Sequence, residues 1–220
     1  VGVVCGNLQL KEDGREENTY WKYEKMLKRL EDRFHSIIGA NGSIYAIRKE
    51  LYKPLPAEVD DDFIEPLQAY TEGYRLVLEM DAVSIEKDIA SSNMQVEFQA
   101  KKRVVIRGIQ SLARVSHLLN PFRYPAISFE LISHKIMRWS IPFLLIAILA
   151  LNFFMPRTPV YFLIFLVQIA FYSAAVSGIL SGFRPFYIPA YFVSTNTAVF
   201  MAALQYLAGR RSRTWDKKRG

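Results

Sequence analysis

The sequence has one cysteine, Cys5, among its 220 residues. A single thiol cannot form a disulfide within the chain, and it excludes a metal centre built from several cysteines. Because Cys5 lies in an apolar run at residues 1–6, we expect a buried structural thiol. Histidine is also scarce, and His35 has no partner at metal-binding spacing. The residues therefore predict no metal site in this chain.

Charged side chains are absent from three long stretches in the second half, residues 139–156, 158–183 and 185–209. A run of about 20 apolar residues is what one helix needs to cross a bilayer. We therefore predict α-helical membrane segments over about 139–155, 159–180 and 187–208.

Basic residues flank these stretches on both sides. Lys135 and Arg138 precede the first stretch, and the tail 210–219 is more basic still. Positive charge favours the cytoplasmic side, so we expect both flanks and the soluble part there. Three complete crossings would place the two basic flanks on opposite sides of the membrane. Either the third segment is interfacial or re-entrant, or the rule that places positive charge inside fails here. We favour the first, because the third segment is the most polar; its polar residues are Ser194, Thr195, Asn196, Thr197 and Gln205.

The formal net charge of the chain is +7. An excess of positive charge suits a surface that faces anionic lipid or a nucleotide diphosphate. The basic residues cluster beside the apolar stretches rather than in one soluble patch, so nucleic acid is not an expected partner.

The first hundred residues alternate between strand and helix patterns. Strands are predicted at 1–10, 43–47 and 74–86, and a helix at 60–70. A further helix is predicted at 19–38, where apolar residues recur every three or four positions with charges on the other face. Those apolar residues are Tyr20, Tyr23, Met26, Leu27, Leu30 and Phe34. The alternation indicates an α/β fold.

A loop of small residues and a row of aspartates form the first candidate site. The loop is Gly39-Ala40-Asn41-Gly42. Its short side chains would let a ligand approach the backbone. Asp60, Asp61 and Asp62 begin the helix at 60–70. Because adjacent like charges repel, at least one should have a raised pKa or a cationic partner, as suits a general base. The alternative is an acidic helix N-terminus that complements the helix dipole, and spacing leaves both open.

A dense basic segment at 95–119 forms the second candidate site. It carries Lys101, Lys102, Arg103 and Arg107 among valines and isoleucines. A guanidinium can bind a pyrophosphate through two parallel hydrogen bonds, and its charge would offset a leaving diphosphate. A helix that faces lipid headgroups would be equally cationic, so the residues alone favour neither interpretation.

Several short motifs occur in the order and spacing of one known family. They are Gly39-Ala40-Asn41-Gly42-Ser43-Ile44-Tyr45-Ala46-Ile47-Arg48, Leu55-Pro56, Asp61-Asp62-Phe63, Pro66, Gly73-Tyr74-Arg75, Glu97-Phe98, Arg103 with Arg107-Gly108, and Ser133-His134-Lys135 with Arg138-Trp139. In these motifs the chain resembles the processive family-2 glycosyltransferases of membranes, the relatives of hyaluronan, chitin, cellulose and poly-N-acetylglucosamine synthases. The resemblance covers nearly the whole chain.

The resemblance implies an α/β fold and a division of the chain. Residues 1–108 would be the acceptor-side half of a GT-A-like nucleotide-sugar domain, 109–135 interfacial helices, and 136–220 membrane helices with a basic cytoplasmic tail. The chain starts on Val1 in mid-pattern, so we expect a C-terminal fragment that is inactive alone. The preceding part would carry the nucleotide-binding strands and the Asp-x-Asp motif. The divalent cation of the full-length enzyme, Mg or Mn, would therefore have its ligands outside this chain.

The resemblance also implies roles for the candidate residues on the acceptor side. Asp62 fits the last acid of the family's acidic motif and would be the general base, with Asp61 at the preceding acid. Gly39, Ala40, Asn41 and Gly42 would shape the acceptor pocket.

On the donor side, Arg103 falls on the arginine of the family's Gln-x-x-Arg-Trp motif. It would hold the nucleotide diphosphate with help from Lys101 and Arg107. The chain departs from that motif, because Val104 replaces the tryptophan and alanine stands at the glutamine position. Trp215 resembles a tryptophan that hyaluronan-type synthases bring near the nucleotide, and a plain interfacial anchor is the alternative.

The expected activity is that of an inverting glycosyltransferase, a hexosyltransferase in the inner or plasma membrane with its catalytic part cytoplasmic. It would move sugar from a nucleotide-sugar donor to a growing polysaccharide. Two alternatives stay open. One is a nonprocessive transferase with a lipid acceptor, and the other is a non-catalytic subunit of a polysaccharide export complex, in which the aspartates only cap a helix.

Overall fold

The computed structural model describes residues 1–11, 15–56, 59–87, 94–155 and 158–209. These residues cluster into two compact units. The first unit contains the described residues of 1–87 and 106–135, and the second contains those of 94–105 and 136–209.

A three-stranded sheet organises the first unit. The central strand β1, Val3–Lys11, pairs antiparallel with β2, Tyr45–Ile47, and parallel with β3, Leu76–Lys87. The register of β1 and β3 shifts between Gly6 and Asn7. A side chain at Gly6 would come within 2.6 Å of a backbone oxygen of the neighbouring strand, so this position requires glycine. All three strands lie within or overlap the predicted strand segments.

Helices complete the first unit. They are α1 at Arg15–Phe34, α2 at Asp61–Thr71, the end of α3 at Met94–Arg114, α4 at Pro125–Leu131, two short 3-10 turns at Lys49–Leu51 and Ser116–Leu119, and a π-helical turn at Ile132–Ile136. Val3, Cys5, Ile37 and Leu76 form the core between sheet and helices. The helices predicted at 19–38 and 60–70 are confirmed with shifted ends, and the fold is mixed α/β as expected.

The apolar face of α1 is an exception to the expected amphipathic pattern. Tyr23, Met26, Leu30 and Phe34 are all about half exposed or more. The side of α1 that packs inward is polar: the Asp32 carboxylate accepts the Leu78 N–H of β3 at 3.2 Å. Hydrophobic periodicity identified the helix correctly, but it did not indicate which face meets the core.

The second unit is helical. It contains the start of α3, then α5 at Met137–Phe154, α6 at Pro159–Ser181 and α7 at Tyr187–Leu207. Small residues allow close packing of α6 on α7, as in many membrane helix pairs. A Cβ at Gly178 would lie 2.7 Å from the backbone oxygen of Phe186, the residue that precedes α7. Ala175 of α6 and Ala190 of α7 are fully buried. The three segments predicted to be helical are helices.

By length and composition, two helical runs among the described residues could cross a membrane, Pro125–Phe154 and Pro159–Ser181. The third predicted segment, α7, is not among these candidates, because its mean hydropathy in the described residues is too low. The basic tail 210–220 lies outside the described residues.

Candidate active site

Asp62 and the small-residue loop lie against each other in the first unit. The loop joins α1 to β2, and Asp62 lies in the first turn of α2. The Ala40 N–H donates to the backbone oxygen of Asp62 at 2.8 Å. The Gly42 N–H bonds to the Asp62 carboxyl, and a Cβ at Gly42 would lie only 3.1 Å from the Asp62 Oδ2. The missing side chain of Gly42 therefore permits this approach.

The surroundings of Asp62 make its carboxylate more basic. Burial raises the pKa of Asp62 above its usual value, and the neighbouring Asp61 charge raises it further. Lys28 and Lys135 oppose this rise by their positive charge. A carboxylate with a raised pKa next to a loop of small residues is equipped to accept a proton from a ligand.

The other two aspartates have different surroundings. Asp61 is exposed, and its carboxylate accepts the Asp62 N–H at 3.0 Å. Asp60 forms an ion pair of 2.7 Å with the Arg107 guanidinium. Burial raises the pKa of Asp60 to about 6, against the attraction of Arg107. The prediction that at least one aspartate has a raised pKa or a cationic partner is confirmed.

Arg107 is held against the segment that leads into α2. Its side chain is only 11% exposed, and its guanidinium donates to the Val59 carbonyl as well as pairing with Asp60. The Asp60 N–H is in turn bound by the Ser111 hydroxyl at 3.0 Å. The structure therefore gives Arg107 a partner other than the expected diphosphate, and makes it an anchor for the start of α2.

The remaining donor-side candidates lie in the second unit. The Lys101 ammonium lies 4.0 Å from the ring centroid of Tyr191 and donates to its hydroxyl. Arg103 is half-buried on α3, and Val104, at the position of the family's tryptophan, is 61% exposed. Asp62 belongs to the first unit, so the diphosphate role of Lys101 and Arg103 stays a prediction. Trp215 lies outside the described residues.

Two lysines of the first unit belong to the Asp62 site, although the sequence analysis did not assign them to it. Lys28 of α1 donates to the Asn41 side-chain oxygen and to the Ala40 carbonyl, the latter at 3.3 Å. The Lys135 ammonium lies 5.1 Å from the Phe63 ring centroid. The sequence feature that could have identified Lys28 was its position on α1. It lies on the face opposite to the apolar residues, one turn from Glu24 and Glu31.

Cys5 fixes the loop to the sheet. It is fully buried, as expected for a structural thiol. The Asn41 N–H donates to the Cys5 sulfur at 3.1 Å, and the Asn41 side-chain amide donates to the Gly6 carbonyl at 2.7 Å. Asn41 is thus bonded to β1 and α1 together, which holds the loop rigidly beside Asp62.

A second polar cluster joins α1 to the helical run that starts at Pro125. The His134 ring lies between two glutamates of α1, with Nδ1 bonded to Glu31 and Nε2 3.5 Å from Glu24. Glu130 is also buried here, 4% exposed. In the described part of the chain, no three His, Cys, Asp or Glu side chains form a group that could hold a metal ion. The described residues thus do not fit a divalent cation.

No family model and no curated protein matches the chain. Among solved structures, the fold is similar to that of the mannosyltransferase PcManGT from Pyrobaculum calidifontis in complex with GDP-Man and Mn2+. The TM-score is 0.58 at 19% sequence identity, and the alignment covers 99% of this chain and 55% of that one. The chain therefore spans about half the length of this neighbour. The match shows that the fold is glycosyltransferase-like.

Proposed function

We propose that the chain is the acceptor-side part of a membrane-bound inverting glycosyltransferase of family 2. It transfers a hexose from a nucleotide-sugar donor to a growing polysaccharide. The observation that carries this proposal is the placement of Asp62: a half-buried carboxyl with a raised pKa, at the N-terminus of α2, in contact with the Gly39–Gly42 loop. The glycosyltransferase-like fold supports it.

In the proposed reaction, Asp62 accepts the proton of an acceptor hydroxyl bound beside the loop. The acceptor oxygen forms a bond to the anomeric carbon as the bond from that carbon to the diphosphate oxygen breaks. The nucleoside diphosphate leaves with the bonding electrons, and the configuration at carbon inverts because attack and departure occur on opposite faces. Asp61 is exposed and hydrogen-bonds the Asp62 N–H, so it assists by position.

Arg103 and Lys101 hold the diphosphate in this proposal, and Arg107 positions α2 through Asp60. The solved neighbour binds GDP-Man and Mn2+, which supports a nucleoside diphosphate sugar as donor class and a divalent cation, Mg or Mn, in the complete enzyme. Such a cation would offset the negative charge of the leaving diphosphate. No step assigned to the residues of this chain depends on it.

The membrane part of the proposal uses the division 1–108, 109–135 and 136–220. Two apolar helical runs among the described residues support an integral membrane protein. The catalytic part is proposed to lie on the cytoplasmic side because basic residues flank the apolar segments. The tail with Trp215 is proposed to lie on the same side, near the nucleotide. The acceptor, whether polysaccharide or lipid-linked sugar, is reached from the membrane surface.

The test is sugar transfer by the full-length protein in membranes, with Asp62→Asn compared against Asp61→Asn. General-base catalysis typically contributes about 100- to 10,000-fold. We therefore expect Asp62→Asn to lose about that factor in rate, whereas Asp61→Asn loses much less, because Asp61 is exposed. Normal transfer by Asp62→Asn would overturn the assignment of the base.

The same assay distinguishes the two alternatives. Product sizing separates a polymer from a single sugar on a lipid, which would indicate a nonprocessive transferase. A non-catalytic export subunit predicts that polymer formation persists when Asp62 and Arg103 are both neutralised.

A further inference from the structure

The outward face of α1 carries a stripe of apolar side chains. Tyr23, Met26, Leu30 and Phe34 are 49%, 52%, 51% and 66% exposed. At 3.6 residues per turn, these four positions fall within an arc of about 80°. We call this set the α1 stripe. Half-exposed large side chains in one contiguous row are a mark of a surface that contacts another apolar phase.

Among the side chains of α1 that the structure describes, the exposed charges beside the α1 stripe are basic. The basic residues Lys22, Arg29 and Arg33 are exposed and lie along one edge of the α1 stripe. The acidic side chains Glu24 and Glu31 are only 12% and 9% exposed, because both turn inward to His134. The face around the α1 stripe is therefore apolar and cationic, which complements an anionic surface.

The α1 stripe is continuous with a segment that is apolar enough to enter a bilayer. The Phe34 ring lies 6.3 Å from the Phe129 ring, centroid to centroid. Phe129 is itself 65% exposed. It belongs to the helical run Pro125–Phe154, one of the two candidate membrane spans among the described residues. The apolar surface of α1 thus adjoins the start of a candidate span.

We propose that the α1 stripe and Phe129 lie in the boundary between headgroups and acyl chains of an anionic bilayer. Lys22, Arg29 and Arg33 then lie at the level of the lipid phosphates, where anionic headgroups attract their positive charge. This inference rests on the membrane part of the proposed function. Because Lys28 of the same helix binds the acceptor loop, docking of α1 holds the Asp62 site at the lipid surface.

The experiment measures nitroxide depth in the full-length protein. Single cysteines for spin labelling are placed at Leu30, at Ile85, a 67% exposed apolar residue of β3, and at Ile164 in α6. Cys5 is fully buried and stays unlabelled. The protein is reconstituted in phosphatidylcholine nanodiscs containing about one quarter phosphatidylglycerol, which gives a negative surface potential. Collision rates with oxygen and with a water-soluble nickel chelate report lipid and water exposure.

We expect the oxygen-to-nickel collision ratio at Leu30 to be several-fold higher than at Ile85 and to approach the ratio at Ile164. Replacing Arg29 and Arg33 by glutamine should lower the Leu30 ratio in anionic discs but leave it unchanged in pure phosphatidylcholine. If Leu30 gives the ratio of Ile85 while Ile164 reports lipid, the docking surface is refuted and the membrane segment stands. Low collision with both reagents at Leu30 would mean that protein covers the stripe, and it also refutes the proposal. A water-like ratio at Ile164 would instead refute the membrane part of the proposed function.

Discussion

Replacing Arg107 by methionine should destabilise the first unit in a strongly pH-dependent way. The guanidinium forms a 2.7 Å ion pair with Asp60, and the two side chains are only 11% and 24% exposed. Methionine keeps most of the apolar volume but removes the charge, so Asp60 must then be buried either as an unpaired carboxylate or as a neutral acid.

The magnitude follows from the pKa of Asp60. Burial raises that pKa from 3.8 to about 6. The folded state therefore binds more protons than the unfolded state, and stability falls as pH rises between those two values. At pH 8 the raised pKa of Asp60 already lowers the stability of the unmodified protein by about 3 kcal/mol. In the Arg107→Met variant, Asp60 can always be buried as a neutral acid, and protonating it at pH 8 costs about 6 kcal/mol. The variant therefore loses at most about 3 kcal/mol of stability beyond what the unmodified protein has already lost at that pH. At pH 5, Asp60 is mostly protonated with or without Arg107, and the electrostatic loss is close to zero.

The assay is the thermal unfolding midpoint of the purified protein at pH 5 and pH 8. A loss of about 3 kcal/mol corresponds to about 6–12 °C in a protein of this size. We expect that shift at pH 8 and a small shift at pH 5, where only the bond to the Val59 carbonyl is lost. In the double variant with Asp60→Asn, the difference between the two pH values should disappear.

Arg75→Met is the matched control. Arg75 lies 3.8 Å from the Asp32 carboxylate, but its side chain is 52% exposed, so this pair should contribute less than about 1 kcal/mol. Equal midpoint losses at pH 5 and pH 8 for Arg107→Met, or equal losses for the two methionine variants, would contradict the reasoning.

Three further predictions concern the Asp62 site and the His134 cluster. Gly42→Ala should reduce the transfer rate more than tenfold, because its Cβ would lie 3.1 Å from the Asp62 Oδ2 and displace the base. Gly39→Ala should reduce the rate less, since the nearest atom to its Cβ would be 3.4 Å away. Equal rates for the two variants would refute the close approach of Gly42 to Asp62. The transfer rate should fall with decreasing pH at a pH above the ordinary aspartate range, because the base must be ionised and burial raises the pKa of Asp62. Lys28→Met should move that fall to still higher pH, since Lys28 lowers this pKa; an unshifted profile would exclude Asp62 as the titrating base. His134→Ala should lower the free energy of unfolding by about 3–5 kcal/mol because it removes the ring that lies between Glu31 and Glu24, and His134→Gln should restore part of it. A loss below about 1 kcal/mol, derived from the unfolding midpoint, would show that the cluster is not stabilising.

The secondary structure of the site could be predicted from the sequence because its signals are local. Apolar spacing and the aspartates indicated a helix at 60–70, and the structure has one at Asp61–Thr71. Small residues indicated a loop at 39–42, and the loop precedes β2 as expected. The contact between the loop and Asp62 depends on a backbone bond across about twenty residues, which no local pattern encodes.

Partner choice and burial were harder to predict. A run of basic residues shows that Arg107 is cationic, but whether it binds a ligand or Asp60 depends on where α3 passes the start of α2. The periodicity of α1 shows an apolar face, yet it does not distinguish a protein core from lipid as the phase that covers it. The structure buries the opposite, polar face, through Lys28, Glu31 and Asp32.

The basicity of Asp62 depends on two helices that His134 ties together. Lys28 lies on α1 within a turn of Glu24 and Glu31, and Lys135 directly follows His134 in the chain. Both lysines lower the pKa of Asp62 against the larger effect of burial. The contacts of His134 with the two glutamates join the two segments that carry these lysines. Lys135 lies in the part of the candidate span Pro125–Phe154 that belongs to the first unit. The acid–base property of the site is thus tied to the helix that is proposed to enter the membrane.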